Sequence, residues 1–156
     1  MSSRRKILAV ASSGGHWIQL RRMSAAFPGG ETIWVSTSEG HRAEVLPDHF
    51  RMVPDCNRWD KLAVVRSALK MAWLVLRIRP THVVTTGAAP GYFAILFSKF
   101  LGARTLWIDS VANAEELSMS GEKARGSATE VWSQWPELAT PAKAGLAEVR
   151  HHGSVL

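Results

Sequence analysis

Residues 10–20 read VASSGGHWIQL and join the end of an apolar run to the start of a helical pattern through small residues that include two glycines. Residues 6–11, KILAVA, are apolar after the first lysine, as expected of a central strand that is covered on both faces. The glycines permit a sharp turn after this strand. The stretch therefore predicts the strand–turn–helix unit that begins a parallel α/β sheet.

Apolar strand-type runs alternate with helical patterns along the rest of the chain. Strands are predicted at about 6–11, 32–36, 50–53, 82–86, 104–109 and 129–132, and helices at about 16–26, 39–46, 60–79, 91–101 and 115–125. This alternation predicts an α/β fold with a single Rossmann-like doubly wound parallel sheet, and 156 residues suffice for one domain over 1–156. The tail, 136–156, has a weaker pattern that could supply a last strand.

The composition narrows the classes of partner. There are 19 Lys and Arg residues against 13 Asp and Glu, a net charge of +6, which favours anionic partners such as a phospholipid surface or a phosphorylated ligand. No nucleic-acid-binding motif is present, so we expect no nucleic-acid partner. A single cysteine, Cys56, excludes an internal disulfide and gives no metal-site spacing, and we expect neither a metal nor another cofactor. No segment has the ~18–20 apolar residues that span a bilayer.

The first glycine loop is a candidate anion site. Ser13, Gly14 and Gly15 precede a helix N-terminus, whose free N–H groups and positive dipole end suit a phosphate or an oxyanion. The loop does not match the G-x-G-x-x-G or P-loop patterns, so dinucleotide-binding and P-loop functions lose support. His16 could act as a general base or bind a sugar hydroxyl. The alternative is a helix-capping turn with an exposed histidine.

A second glycine loop lies in TTGAAPGY, residues 85–92. Gly87, Pro90 and Gly91 follow a predicted strand, and proline suits the first turn of a helix. Because ligands of doubly wound sheets bind at the carboxyl ends of the strands, this loop could form a paired anion or hydroxyl site with the first. The alternative is an ordinary α/β turn that needs small residues.

A third loop begins with Asp109 and Ser110 in WIDSVANAEELS, residues 107–118. Asp109 is expected to point into the same cleft, where it could orient His16 or bind a hydroxyl group. The alternative is that Asp109 or Ser110 caps a helix.

The helix predicted at 60–79 carries a possible membrane surface. At 100° per residue, the following side chains share a stripe about 60° wide: Trp59, Arg66, Lys70, Trp73 and Arg77. Tryptophans interleaved with cations are typical of surfaces that rest on anionic headgroups. The alternative is a core helix whose wet face carries long basic side chains. The helix at 91–101 is apolar almost all round, and we expect it to face another protein or lipid.

Five segments together resemble a known family: SSGGHWIQL, TTGAAPGYFAILFSKFLGART, WIDSVANAEELSMSGEKAR, QWPELA and the terminal GSVL. In order, and over essentially the whole chain, they resemble the asparagine-linked glycosylation fourteen family, which includes bacterial PssD-type exopolysaccharide and capsule proteins. That family looks like the N-terminal half of a GT-B glycosyltransferase, similar to the acceptor domain of the peptidoglycan N-acetylglucosaminyltransferase. A separate small protein supplies the nucleotide-sugar half.

The resemblance implies a heteromeric glycosyltransferase that transfers a sugar from a UDP-sugar to a lipid-diphosphate-linked acceptor. This chain would be the acceptor-binding, membrane-recruiting subunit, inactive without its partner and peripheral on the cytoplasmic face of the membrane. By the resemblance, the acceptor diphosphate would meet the two glycine loops, His16 would be the candidate base, and Asp109 and Ser110 would match an acidic–serine pair. The segment leading toward the partner-facing end matches Gln134, Trp135 and Pro136.

One departure and two rival functions remain. Eukaryotic relatives carry an N-terminal membrane anchor, whereas here residues 2–5 precede the first strand, so any membrane contact is expected through surface helices. The rivals are a self-sufficient nucleotide-sugar-binding enzyme and a non-catalytic α/β binding module at a membrane surface.

Overall fold

The computed structural model describes residues 4–27, 29–46 and 49–154. Within them, seven strands form one parallel sheet: β1 (Lys6–Ala11), β2 (Glu31–Ser36), β3 (Phe50–Met52), β4 (His82–Gly87), β5 (Arg104–Ile108), β6 (Glu130–Ser133) and β7 (Val149–His151). Their order is β3-β2-β1-β4-β5-β6-β7, with every neighbouring pair parallel. The direction of winding therefore reverses between β1 and β4, and all carboxyl ends lie along one edge.

Helices cover the two faces of the sheet unequally. The α-helices are α1 (Gly15–Arg22), α2 (Lys61–Ile78), α3 (Ala89–Lys99) and α4 (Met119–Ala124), and 3₁₀ helices form at Met23–Ala26, Glu39–Glu44 and Pro136–Leu138. On one face, Trp17 and Leu20 of α1 are buried against Trp34 and Phe50. On the other, α2, α3 and α4 pack over the larger core, which includes Leu8, Met71 and Trp107.

Local chemistry sets the limits of α2, the longest helix described. The Asp60 carboxylate accepts a hydrogen bond from the backbone N–H of Ala63 at 2.9 Å and so caps the first turn. The helix ends at Arg79, which adopts a left-handed conformation with φ of 51° before Pro80. Within the described residues, no helix is both long and apolar enough to cross a bilayer.

The expected α/β class and doubly wound parallel sheet are confirmed, and the tail supplies β7. Two of the predicted helices differ. The segment at 39–46 forms only a 3₁₀ helix, because EGHRAE offers no apolar stripe to bury and none of its residues is buried. The helix expected at 115–125 begins at Met119, since the preceding residues form a loop.

The apolar helix predicted at 91–101 finds its partners within the chain. The corresponding helix α3 packs between α2 and α4 and against the sheet, and it buries Ala94, Ile95 and Ser98. Just beyond the C-terminal end of α3, the large apolar side chains of Phe100 and Leu101 are exposed. One face of the helix is therefore buried within the chain, and an external partner for its half-buried side chains, such as Phe93 and Phe97, stays a prediction.

Candidate functional site

The first two glycine loops meet at the carboxyl edge of the sheet. The strands β1 and β4 are parallel neighbours, and the helices that follow them, α1 and α3, both begin at this edge. The backbone N–H of Ser12 donates to the carbonyl oxygen of Gly87 at 3.1 Å, so the loops are in direct contact. The structure thus brings together the two predicted halves of an anion site at the point where the winding reverses.

The N-terminus of α1 is open to a ligand. Gly14 has φ of 77°, a conformation that L side chains rarely adopt, and the helix has no side-chain cap. Both Gly14 and Gly15 are exposed, and a Cβ on either would meet no atom within 4 Å. The backbone N–H of Ser13 donates to Thr37 Oγ1 at 3.0 Å, which ties the loop to the end of β2. The start of α1 therefore has no side-chain cap and has open space beside Gly14 and Gly15.

The N-terminus of α3 also has no side-chain cap. Pro90 lies in its first turn and has no N–H, while Gly91 lies so close to β4 that an added Cβ would be 2.0 Å from Thr85 Oγ1. Thr85 Oγ1 also accepts from the N–H of Gly87 at 3.2 Å. Gly91 is thus required for the close packing of helix on strand. Pro90 and Gly91 are buried, and binding of a ligand at this end of α3 stays a prediction.

His16 stands between the two loops, half-buried at the start of α1. Its Nδ1 lies 2.8 Å from the carbonyl oxygen of Thr86. Because a carbonyl oxygen only accepts hydrogen bonds, Nδ1 must carry a proton, and in the neutral imidazole Nε2 is left with a lone pair. A Cβ on Gly87 would lie 2.9 Å from the imidazole Nδ1 and Cε1. The ring therefore rests on Gly87, which also has φ of 118°.

The structure does not bring Asp109 to His16. The Asp109 carboxylate is buried and accepts hydrogen bonds from Trp107 Nε1 at 3.0 Å, Asn113 Nδ2 at 3.1 Å, and the N–H and Oγ of Ser118 at 2.8 and 2.6 Å. The orienting hydrogen bond to His16 that was predicted for Asp109 is made instead by the Thr86 carbonyl oxygen. With four donors directed at it, this carboxylate organises the loop between β5 and α4.

Ser110, in the loop after β5, lies at the same carboxyl edge of the sheet. Ser110 is half-buried, and its Oγ accepts from the N–H of Ala112 at 3.2 Å within a local turn. The cap of α4 is Ser118, whose Oγ accepts from the N–H of Gly121 at 2.9 Å, and not Asp109 or Ser110. Binding of a ligand by Ser110 stays a prediction.

The segment predicted to face a partner is only partly at the surface. Gln134 is 2% exposed, and its Nε2 lies 3.4 Å from the Asp109 carbonyl oxygen. Since this bond directs the side chain inward, the expectation that Gln134 faces a partner is wrong. Trp135 is half-buried and donates from Nε1 to the Val111 carbonyl at 2.8 Å, while Pro136 is exposed. A partner-facing role for these two stays a prediction.

The five side chains of the predicted membrane stripe are all exposed. Two of its cations lie over Trp73: Lys70 Nζ is 4.6 Å and Arg77 Cζ 5.9 Å from the centroid of the ring. Beside the cations runs a ridge of apolar side chains, each at least half exposed, which we call the α2 ridge: Leu62, Val65, Leu69, Trp73 and Leu76. Helix α2 contains no acidic residue.

The α2 ridge was missed by the sequence reasoning because the helix has two apolar stripes. One is buried and includes Met71, Leu74 and Ile78. The other is the ridge, whose members also recur at spacings of three and four residues. A second stripe of this kind is a signal that one apolar face must remain outside the core.

The described residues hold no group of three His, Cys, Asp or Glu side chains that could bind a metal ion. Two titratable groups away from the site are perturbed. Burial raises the pKa of the Cys56 thiol, and burial followed by the charges of Arg5 and Arg104 lowers the pKa of His82.

No family model and no curated protein matches this sequence significantly. Solved structures do. MurG from Acinetobacter baumannii is 14% identical with a TM-score of 0.71, covering 94% of this chain and 45% of MurG. The UDP-N-acetylglucosamine 2-epimerase from Rickettsia bellii is 12% identical with a TM-score of 0.67, covering 97% and 45%. A glycosyltransferase from Rickettsia africae ESF-5 is 18% identical with a TM-score of 0.56, covering 84% and 37%.

The chain therefore spans less than half the length of these proteins. At such low identity the likeness concerns the fold. The parallel sheet and its helices match a domain-sized part of these proteins. The chain has the fold of a GT-B N-terminal-like domain.

Proposed function

We propose that this chain is the acceptor-binding, membrane-recruiting subunit of a two-chain glycosyltransferase. The reaction is transfer of a sugar from a UDP-sugar, held by a donor-binding chain, to a lipid-diphosphate-linked acceptor in polysaccharide or oligosaccharide biosynthesis. The observation that carries the proposal is the meeting of two helix N-termini without side-chain caps beside His16. The family resemblance and the GT-B fold support the same reaction class.

The glycine loops supply the site for the acceptor diphosphate. A helix N-terminus carries the equivalent of roughly half a positive charge, and its free N–H groups are donors to phosphate oxygens. The two such termini at this edge belong to α1 and α3, and the exposed Gly14 and Gly15 allow a phosphate to approach the backbone of the first. Ser13 is exposed on the same loop and adds a hydroxyl.

His16 acts as the general base. The acceptor hydroxyl oxygen attacks the anomeric carbon of the UDP-sugar, the bond from that carbon to the diphosphate oxygen breaks, and UDP leaves with the electron pair. The proton of the hydroxyl passes to His16 Nε2, the nitrogen left unprotonated when Nδ1 donates to Thr86. Asp109 does not take part in this transfer; it holds the adjoining loop in place through its four hydrogen bonds.

Helix α2 brings the site to the acceptor lipid. The α2 ridge would enter the headgroup boundary while Arg66, Lys70 and Arg77 meet anionic phosphates. Trp59, 80% exposed at the start of the same surface, would lie at the interface. Because α2 begins at the carboxyl edge of the sheet, a membrane along this helix also passes near the glycine loops.

The experiment is reconstitution with a donor-binding chain. The protein is co-expressed with a small glycosyltransferase-like chain from its gene neighbourhood, and transfer from UDP-sugars to a prenyl-diphosphate-linked sugar is measured for each chain and for the pair. We expect a stable complex and transfer by the pair alone. His16→Ala should lower kcat by about 10²–10⁴-fold, the usual contribution of a general base, with the complex intact.

A matched control is His152→Ala, which removes an exposed histidine beyond β7 and should leave transfer unchanged. Transfer by this chain alone would favour the self-sufficient enzyme instead. The exposed α2 ridge favours the second rival, a binding module at a membrane, and vesicle binding without transfer in any combination would support it.

A further inference from the structure

Two reciprocal hydrogen bonds join Thr86 to His16, which is 70 positions away in the sequence. The Thr86 carbonyl oxygen lies 2.8 Å from His16 Nδ1, and Thr86 Oγ1 donates to the His16 carbonyl oxygen at 2.6 Å. Thr86 is fully buried near the end of β4. One residue of the strand therefore holds both the side chain and the main chain of the residue that opens the first turn of α1.

The neighbours of Thr86 on β4 leave the ring little freedom. Side chains alternate across a strand, so Thr85 points to the opposite face, where it packs against Gly91 of α3. Gly87 then passes beneath the imidazole, with space for no Cβ. The imidazole is thus confined by one hydrogen bond at Nδ1 and by the backbone under it.

We propose that Thr86 is the positioning residue for His16: its carbonyl selects the Nδ1–H tautomer, and its hydroxyl fixes the turn that carries the ring. The carbonyl cannot donate, so only the Nδ1–H form makes this bond. The same carbonyl dipole stabilises the imidazolium after Nε2 has taken a proton. The importance of this tautomer for turnover rests on the proposed function, whereas the tautomer itself does not.

The experiment measures the tautomer of His16 separately from its effect on turnover. Long-range ¹H–¹⁵N NMR spectra of the full chain, at a pH where His16 is neutral, report which ring nitrogen carries the proton. We expect Nδ1–H in the wild type. Thr86→Val keeps the carbonyl and the shape but removes the hydroxyl, so the turn loosens and the Nε2–H tautomer should gain population. Thr86→Ser retains the hydroxyl and should restore the wild-type spectrum.

Thr105→Val is the matched control for the spectra, since this residue is also a buried threonine of the sheet, and its hydroxyl contacts Thr129 and not the loops around His16. It should leave the tautomer unchanged. In the reconstituted pair, Thr86→Val should lower kcat about tenfold, as expected for loss of one hydrogen bond of about 1.4 kcal/mol, with little change in acceptor KM. Thr86→Ser should recover most of it.

A wild-type spectrum with Nε2–H would overturn the inference even if Thr86→Val failed to fold. An unchanged tautomer in folded Thr86→Val, or the same shift in Thr105→Val, would overturn it as well. If no transfer is found with any donor-binding chain, the proposed function fails while the spectra still decide the role of Thr86.

Discussion

Reversing three of the four cations of α2 should weaken binding to anionic vesicles strongly while leaving the fold intact. Arg66, Lys70 and Arg77 are exposed on a helix without acidic residues, so no neighbour on that helix offsets them. A Lys or Arg near an anionic membrane contributes about 1 kcal/mol, so the three contribute about 3 kcal/mol, a factor of about 100 in partitioning. Replacement with glutamate turns this attraction into repulsion, and the loss should be at least that large.

The α2 ridge supplies a separate contribution that does not depend on charge. Leu62, Leu69 and Leu76 are each about 60% exposed or more. Complete burial of such a side chain is worth about 1.5–3 kcal/mol, so inserting the exposed part of each would return about 1–2 kcal/mol. Replacing the three with serine should therefore weaken binding to anionic and to neutral vesicles alike, whereas the charge reversal should weaken binding to anionic vesicles only.

The assay is co-sedimentation with vesicles of phosphatidylcholine, with and without phosphatidylglycerol, at two salt concentrations. A control triple variant reverses Arg4, Arg22 and Lys143, which are exposed elsewhere on the chain, and so produces the same change in net charge. Equal losses in the control and in the α2 variant would show that net charge, and not this helix, drives binding. Undiminished binding of both α2 variants would refute the assignment of α2 as the membrane surface.

Two further predictions concern stability. Asp109→Asn should lower the free energy of unfolding by about 1–3 kcal/mol, because an amide N–H₂ would then face donors such as Asn113 and leave buried groups unsatisfied. Thermal denaturation measures this loss, and an unchanged Tm would contradict the prediction. For His82, burial and then Arg5 and Arg104 lower the folded-state pKa below that of the unfolded chain. The contribution of His82 to stability is therefore complete above the unfolded-state pKa and is lost as pH falls toward the folded-state pKa. His82→Gln should flatten the acid side of the curve of unfolding free energy against pH. A curve with the same slope as the wild type would contradict this prediction.

The alternation of apolar runs was enough to predict the sheet, because parallel strands covered on both faces leave an unmistakable pattern. It also placed the loops after β1, β4 and β5 at one edge, as the strand order requires. The role of Asp109 was not predictable, since its four donors come from Trp107, Asn113 and Ser118, and their convergence depends on the path of a loop without periodicity.

Other site contacts depend on tertiary packing in the same way. The bond between His16 and Thr86 joins residues that are distant in sequence, and its key acceptor is a backbone carbonyl, which every residue has. The resemblance placed Gln134 in a partner-facing segment, but its side chain is buried and its amide lies against the Asp109 carbonyl oxygen. Strand and helix patterns report burial, whereas these contacts depend on how two loops meet.

Binding of the acceptor diphosphate at the glycine loops can be observed without catalysis. Backbone amide NMR shifts are followed while a short-chain prenyl-diphosphate sugar is added to the isotopically labelled chain, with the matching prenyl alcohol as a control. The account predicts saturable shifts for Gly14, Gly15 and His16 and for the first turn of α3, absent with the alcohol. Shifts confined to the opposite edge of the sheet, or the same response to the alcohol, would contradict it.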